Sequence, residues 1–149
     1  FKYTYPFRET SAVRLHFQNV NLSGHGALSA ERRDSRTGEL KALFTDVRDK
    51  HERTETVRGG SWLYNIQPYR VLFPPEYIAS AKPVGYELVF WSLWGQFLRG
   101  KGKPNATAIA GFREAIRKAK TTEECESAFP FQVMRPECSI EHFFEFYGI

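Results

Sequence analysis

Along residues 12–19, "AVRLHFQN", apolar and polar positions alternate, with Val13, Leu15 and Phe17 on one face and Arg14, His16 and Gln18 on the other. A period of two over this length predicts a half-buried strand. The spacing then changes. Leu40, Leu43, Phe44 and Val47 recur at intervals of three and four, the stripe of a helix that packs on one side. That helix is expected to run from an N-cap at Ser29 to about Lys50, with Glu31 in the first turn, where a carboxylate suits the dipole. "ETVRGGSW" is extended in pattern and predicts a second strand, ended by Gly59 and Gly60. A crossover of this length between two strands predicts parallel pairing and a right-handed connection. Both C-terminal ends then fall on one edge, so residues 16–19 and 61–65 meet at a single rim. In open α/β sheets that rim is where ligands bind.

Further on, "NIQPYRVLF" predicts a short helix with Pro68 near its first turn, stopped by Pro74 and Pro75. Residues 82–100, "KPVGYELVFWSLWGQFLRG", are rich in β-branched and aromatic side chains and predict a long strand, with a bulge or a close backbone approach at Gly95. On such a strand Trp91 and Trp94 face opposite ways, so no stacking platform for bases is expected. "GKGKPN" reads as a turn, and Asn105 as the cap of a helix carrying Ile109, Phe112, Ala115 and Ile116 on one face. "TTEECESAF" predicts a helical turn and "FQVMR" a final strand. Ser139 is expected to cap a terminal helix with Ile140, Phe143, Phe144 and Tyr147 inward. Residues 1–11 have no clear period and read as a docked N-terminal arm. The whole, residues 1–149, is expected to be a single α+β domain, a mixed twisted sheet packed by helices with a βαβ unit in its N-terminal half.

Composition adjusts this picture in three places. Aromatic residues make up 15% of the chain, with 13 Phe and 7 Tyr, which predicts a dense core of large rings. The net charge is +4, but cations alternate with acids, as in "ERRDSRTGELK". A mixed solvated surface follows, and nucleic acid is not expected as a partner. Cys125 and Cys138 are too few for a disulfide framework and lack CxxC spacing, which predicts reduced thiols and a cytoplasmic setting. Nothing resembles a signal peptide, and no stretch reaches the roughly 18 apolar residues of a membrane span, so no membrane is expected. His16, His25, His51 and His142 have no metal-ligand spacing, so no metal is expected either.

The chemistry-bearing candidates crowd the predicted rim. His16 titrates near neutrality and can serve as a general base, or can simply bond within the fold. Ser61 follows two glycines but lacks the G-x-S-x-G elbow of a nucleophile, and its hydroxyl suits a cap. Trp62, Tyr64, Tyr69 and Tyr77 combine ring bodies with polar tips. They either fill the core or, beside Asn65, Gln67 and Arg70, form a pocket wall. The Arg70 guanidinium can fork onto a carboxylate or phosphate, or lie on the surface over a Tyr or Glu76. The same Trp, Tyr and Arg residues would anchor a protein partner or a second copy of the chain in a homodimer.

"LHF", "ALSAE", Asp34, "ALF" and "GGSWLYN" follow one another between residues 13 and 93. In this order they resemble the C-terminal domain of the GNAT-like two-domain proteins of bacteria, which show "LHI", "PLT" and "HSWLL" segments. The chain also looks like small standalone bacterial proteins that carry "GGSWLYN", "YRRLFPPEY" and "LWGQFL". The resemblance implies an acyltransferase-like lobe and binding of acyl-CoA or a related anion, with acyl transfer to an amine as the reaction. His16, or a water held by Tyr64, would then take the amine proton, and backbone amides would polarise the thioester carbonyl. The family's pyrophosphate loop, [RQ]-x-x-G-x-[GA], is only approached by "FLRGKGK". Gly100 and Gly102 are correctly spaced and Lys101 and Lys103 add charge, but Phe97 stands where Arg or Gln belongs and Gln96 is one residue early. A degenerate, non-enzymatic lobe that binds protein is the alternative.

Overall fold

The computed structural model of the chain describes residues 1–5, 11–18, 26–84, 91–99 and 102–149. Its central sheet holds β1 (Lys2–Thr4), β2 (Ala12–His16), β3 (Thr56–Arg58) and β8 (Glu137–Ser139), in the order β1-β2-β3-β8. The alternation at the start of the chain explains β2: Val13 and Leu15 are buried and Arg14 is exposed between them. β2 and β3 are adjacent and parallel, with Ala12 opposite Thr56 and Arg14 opposite Arg58. The helix between them, α1 (Arg33–Lys50), buries Leu40, Leu43, Phe44 and Val47 against the sheet and α6 (Glu141–Tyr147). The expected βαβ unit is therefore present.

The start of α1 differs from expectation. A 3-10 turn, Ala30–Arg32, precedes it, and Ser29 makes no capping bond with its side chain. Two strands were illegible in the sequence. β1, within the expected arm, pairs antiparallel with β2, and β8 pairs antiparallel with β3. Ser139 ends β8 rather than standing at the N-cap of α6, although its hydroxyl still accepts from Glu141 N at 3.3 Å.

The long strand expected over residues 82–100 does not form in the described part of that run. β4 (Lys82–Pro83) pairs with β7 (Met134–Arg135), and Trp91–Phe97 is a 3-10 helix. Among its described side chains Leu93, Gln96 and Phe97 are buried, a spacing of three and four that an alternating strand cannot satisfy. Gly95 accordingly sits in a helical turn, not at a bulge. β5 (Leu98–Arg99) and β6 (Lys103–Pro104) close a small hairpin, and α4 (Ala106–Lys118) follows, capped by the Asn105 side chain as expected. Thr121 and Glu124 form a reciprocal capping box on α5 (Thr122–Ser127).

Two apolar clusters result. The larger lies between the sheet, α1 and α6, and takes in the tyrosines of α2 (Gln67–Arg70) and α3 (Pro75–Ala79). The smaller joins Leu93, Phe97, Phe129 and Val133, with Trp62 and Phe112 packed on it. Among the described residues, no helix is long and apolar enough to cross a membrane.

Candidate functional site

Parallel pairing sends β2 and β3 to the same rim, and an open cleft of about 360 Å³ lies there. His16 and Phe17, at and just past the end of β2, form one side. Residues 60–64 form the other, and Leu15, Tyr69 and Gly95 complete the lining. The 60–64 segment is held rigidly. Ser61 exchanges both backbone hydrogen bonds with Met134, each 3.1 Å long, and its hydroxyl accepts from Leu63 N at 3.1 Å to cap the 3-10 turn Trp62–Asn65. Among the described residues, no imidazole or carboxylate is hydrogen-bonded to that hydroxyl. Ser61 is a cap that still has its proton to donate.

His16 is half-buried, with Nε2 2.8 Å from the Thr4 hydroxyl. Burial, then the neighbouring Lys2 and Arg14 charges, hold its pKa below the ordinary value of 6.5. At pH 7 it is a neutral imidazole able to accept or donate.

Trp62 stacks on Phe131, ring centroids 5.9 Å apart and planes 10° from parallel. Gly95 lies beneath it; a β-carbon there would reach 3.8 Å from the indole nitrogen, ordinary contact. Phe131 is fixed by Gln96, whose buried amide accepts from Phe131 N at 2.9 Å and donates to the carbonyls of Leu93 (2.9 Å) and Phe131 (3.3 Å). Gln96 thus ties the 3-10 helix to the strand-side loop and indirectly sets the Trp62 wall. In the sequence it stood out only as a misplaced member of a phosphate-loop pattern.

The tyrosines divide the expected pocket wall differently. Tyr64 and Tyr69 reach the cleft only with their rings, being 4% and 2% exposed. The Tyr64 hydroxyl turns inward to the Tyr77 hydroxyl at 3.0 Å, and burial pushes both phenols well above their ordinary pKa. This removes the water-holding role expected of Tyr64, because its polar tip is used in the core. Tyr77 is fully buried and does not line the cleft.

Asn65 and Arg70 also fall outside the lining. Asn65 donates to the carbonyls of Trp62 and Gln132, both at 2.8 Å, and so braces the turn. Arg70 is exposed at the end of α2.

Of the glycine loop, Gly100 and Lys101 lie outside the described residues. Gly102 has φ of 71°, a left-handed value that suits glycine, and Lys103 begins β6. The loop therefore closes a hairpin. It does not pass directly into α4, as the pyrophosphate loop passes into its helix. His25 lies outside the described residues. Among those described, no group of three His, Cys, Asp or Glu side chains could hold a metal. Both cysteines are free and half-buried, and burial, then Glu76 and Glu137, push the Cys138 thiol up to about 11.

No protein-family model matches the chain, and comparison with curated proteins and with solved structures finds no match.

Proposed function

We propose that the chain is a GNAT-related domain that takes a small acyl or anionic ligand into the cleft at the shared rim of β2 and β3. The observation that supports this reading is the cleft's make-up: the aromatic residues Phe17, Trp62, Tyr64 and Tyr69 with two polar residues, His16 and Ser61, at the same rim. Such a lining suits an apolar body with one polar head. A volume of about 360 Å³ admits an acyl group and the thiol end of its carrier, but not a whole coenzyme A. The nucleotide part of an acyl-CoA would lie outside. If acyl transfer to an amine occurs there, neutral His16 is the side chain that could take the amine proton.

The test is thermal denaturation with acetyl-CoA and butyryl-CoA, with Trp62→Ala and His16→Gln as comparisons. Saturating ligand raises the melting temperature of the parent protein, and less so that of the variants. Equal shifts in parent and Trp62→Ala, or none with either thioester, would refute the proposal. The non-enzymatic alternative, a protein-binding or homodimeric lobe, predicts concentration-dependent sedimentation without any thioester effect.

A further inference from the structure

We infer that the β5–β6 hairpin is an amphipathic element that adsorbs to anionic lipid surfaces. Leu98 is 54% exposed, and Trp94 just before it is 47% exposed. In the antiparallel pair Leu98 stands opposite Pro104, and Arg99 stands opposite Lys103. Directly opposed residues share a face, and successive residues alternate. One face of the ribbon is therefore apolar and the other doubly cationic. All four residues are exposed.

This arrangement is unfavourable for the isolated protein. Like charges opposite one another destabilise a ribbon, and neither Arg99 nor Lys103 has an ion pair among the described residues. An exposed apolar face backed by cations has the organisation of interfacial segments, which bury the apolar side at the headgroup boundary while Lys and Arg meet anionic headgroups.

The base of the hairpin is firm enough to present it. Asn105 N donates to Phe97 O at 2.7 Å, and Trp94 packs on Phe97, Phe112 and Phe129. Two other anionic partners fit less well. The ribbon's own apolar face, Leu98 and Pro104, is aliphatic and offers a nucleic-acid base no stacking surface, and the half-exposed Trp94 ring beside it is engaged with Phe97, Phe112 and Phe129. Leucine is also under-represented among the anchors of protein interfaces.

The experiment is co-sedimentation at low salt with phosphatidylcholine vesicles, with and without phosphatidylglycerol. The parent protein, Leu98→Ser, and the double variant Arg99→Gln/Lys103→Gln are compared. The parent binds the anionic vesicles only. Each cation removed costs about fivefold in partitioning, so the double variant loses about 25-fold. Leu98→Ser also weakens binding, while the melting temperature of both variants stays that of the parent, since all three side chains are exposed. Absence of vesicle binding, binding unchanged in both variants, or retention on single-stranded RNA instead of vesicles would each overturn the inference.

Discussion

Replacing Gly59 by alanine puts a methyl group into the tyrosine cluster behind the cleft. Gly59 ends β3, is buried, and donates its backbone N–H to Pro136 O at 3.0 Å. A β-carbon there would overlap the hydroxyl oxygens of both Tyr64 and Tyr77 and come within 2.7 Å of Tyr64 Cζ. Ordinary contact begins near 3.4 Å. Neither ring can retreat easily. Tyr64 packs against Tyr69, Phe73 and Tyr77, and Tyr77 against Phe143, with centroids 4.9–5.8 Å apart. Forcing a methyl into such a core costs about 1–3 kcal/mol. Separating the 3.0 Å Tyr64–Tyr77 pair leaves the buried Tyr77 hydroxyl unpaired, for about 1–3 kcal/mol more. Alanine's reduced freedom in the unfolded chain returns about 0.4–1 kcal/mol. The net is a loss of roughly 1–6 kcal/mol, or about 2–20 °C in Tm for a chain of this size.

Chemical denaturation measures this, with Gly60→Ala as the control. A β-carbon on Gly60 meets nothing within 4 Å, so that variant should stay within about 0.5 kcal/mol of the parent. The cost should also shrink by at least about 1 kcal/mol in a Tyr64→Phe/Tyr77→Phe background, where the two hydroxyls are gone. Gly59→Ala that matches Gly60→Ala, or a cost unchanged in the phenylalanine background, would refute the steric account.

Other outcomes follow from the same packing. Gly38 is exposed within α1 with open space around it, so Gly38→Ala should stabilise by about 1 kcal/mol in urea denaturation. Gln96→Ala removes three hydrogen bonds at a buried position and should cost about 2–4 kcal/mol, with a change in Trp62 fluorescence as Phe131 is released. Burial raises the phenols of Tyr64, Tyr69, Tyr77 and Tyr147, so folding is fully supported below the unfolded value near 10 and weakens as pH rises above it. Absorbance at alkaline pH should show these four titrating together with unfolding, while an independent early titration of any would contradict the burial. For His16 the sign reverses: its lowered pKa makes protonation favour the unfolded chain, so stability is lost as pH falls below about 6.5. Its imidazole signals in an NMR titration should move below that value, and less so after Lys2→Gln.

The parts of the fold legible in the sequence are those with a sustained period. Five alternating residues and an eighteen-residue stripe are enough to specify β2, α1 and, through the length of the crossover, a parallel β3. From those alone the rim and most of its lining follow. β1 and β8 have three residues each, too few for a period to show, and both are defined by the strand they pair with. The run over residues 91–97 misled for a different reason. Its aromatic content favours a strand, but Leu93, Gln96 and Phe97 are inward together and Gln96 supplies polar bonds that only tertiary structure creates. Arg70 and Asn65 were credible by residue type alone, and direction decided otherwise.

Direction also explains why so many tyrosines gather behind the cleft when none presents its hydroxyl to it. A phenylalanine cluster would lack the two hydroxyls that occupy the space beside Gly59. Tyr64 and Tyr77 share one mutual hydrogen bond there, and Tyr147 donates to Leu72 O at 2.6 Å to tie the segment after α2 to α6. Each bond sets the position of an aromatic ring, and the Tyr64 and Tyr69 rings are the cleft's inner wall. The polar tips thus act on the site from behind, as positioning groups. Tyr64→Phe should therefore alter the affinity for a ligand in the cleft only as far as it loosens the ring. Trp62→Ala removes wall directly and should have the larger effect on affinity at equal loss of stability. Titration of the two variants with the same thioester compares them. A larger affinity loss in Tyr64→Phe would mean that its hydroxyl reaches the ligand and that the cleft is organised differently.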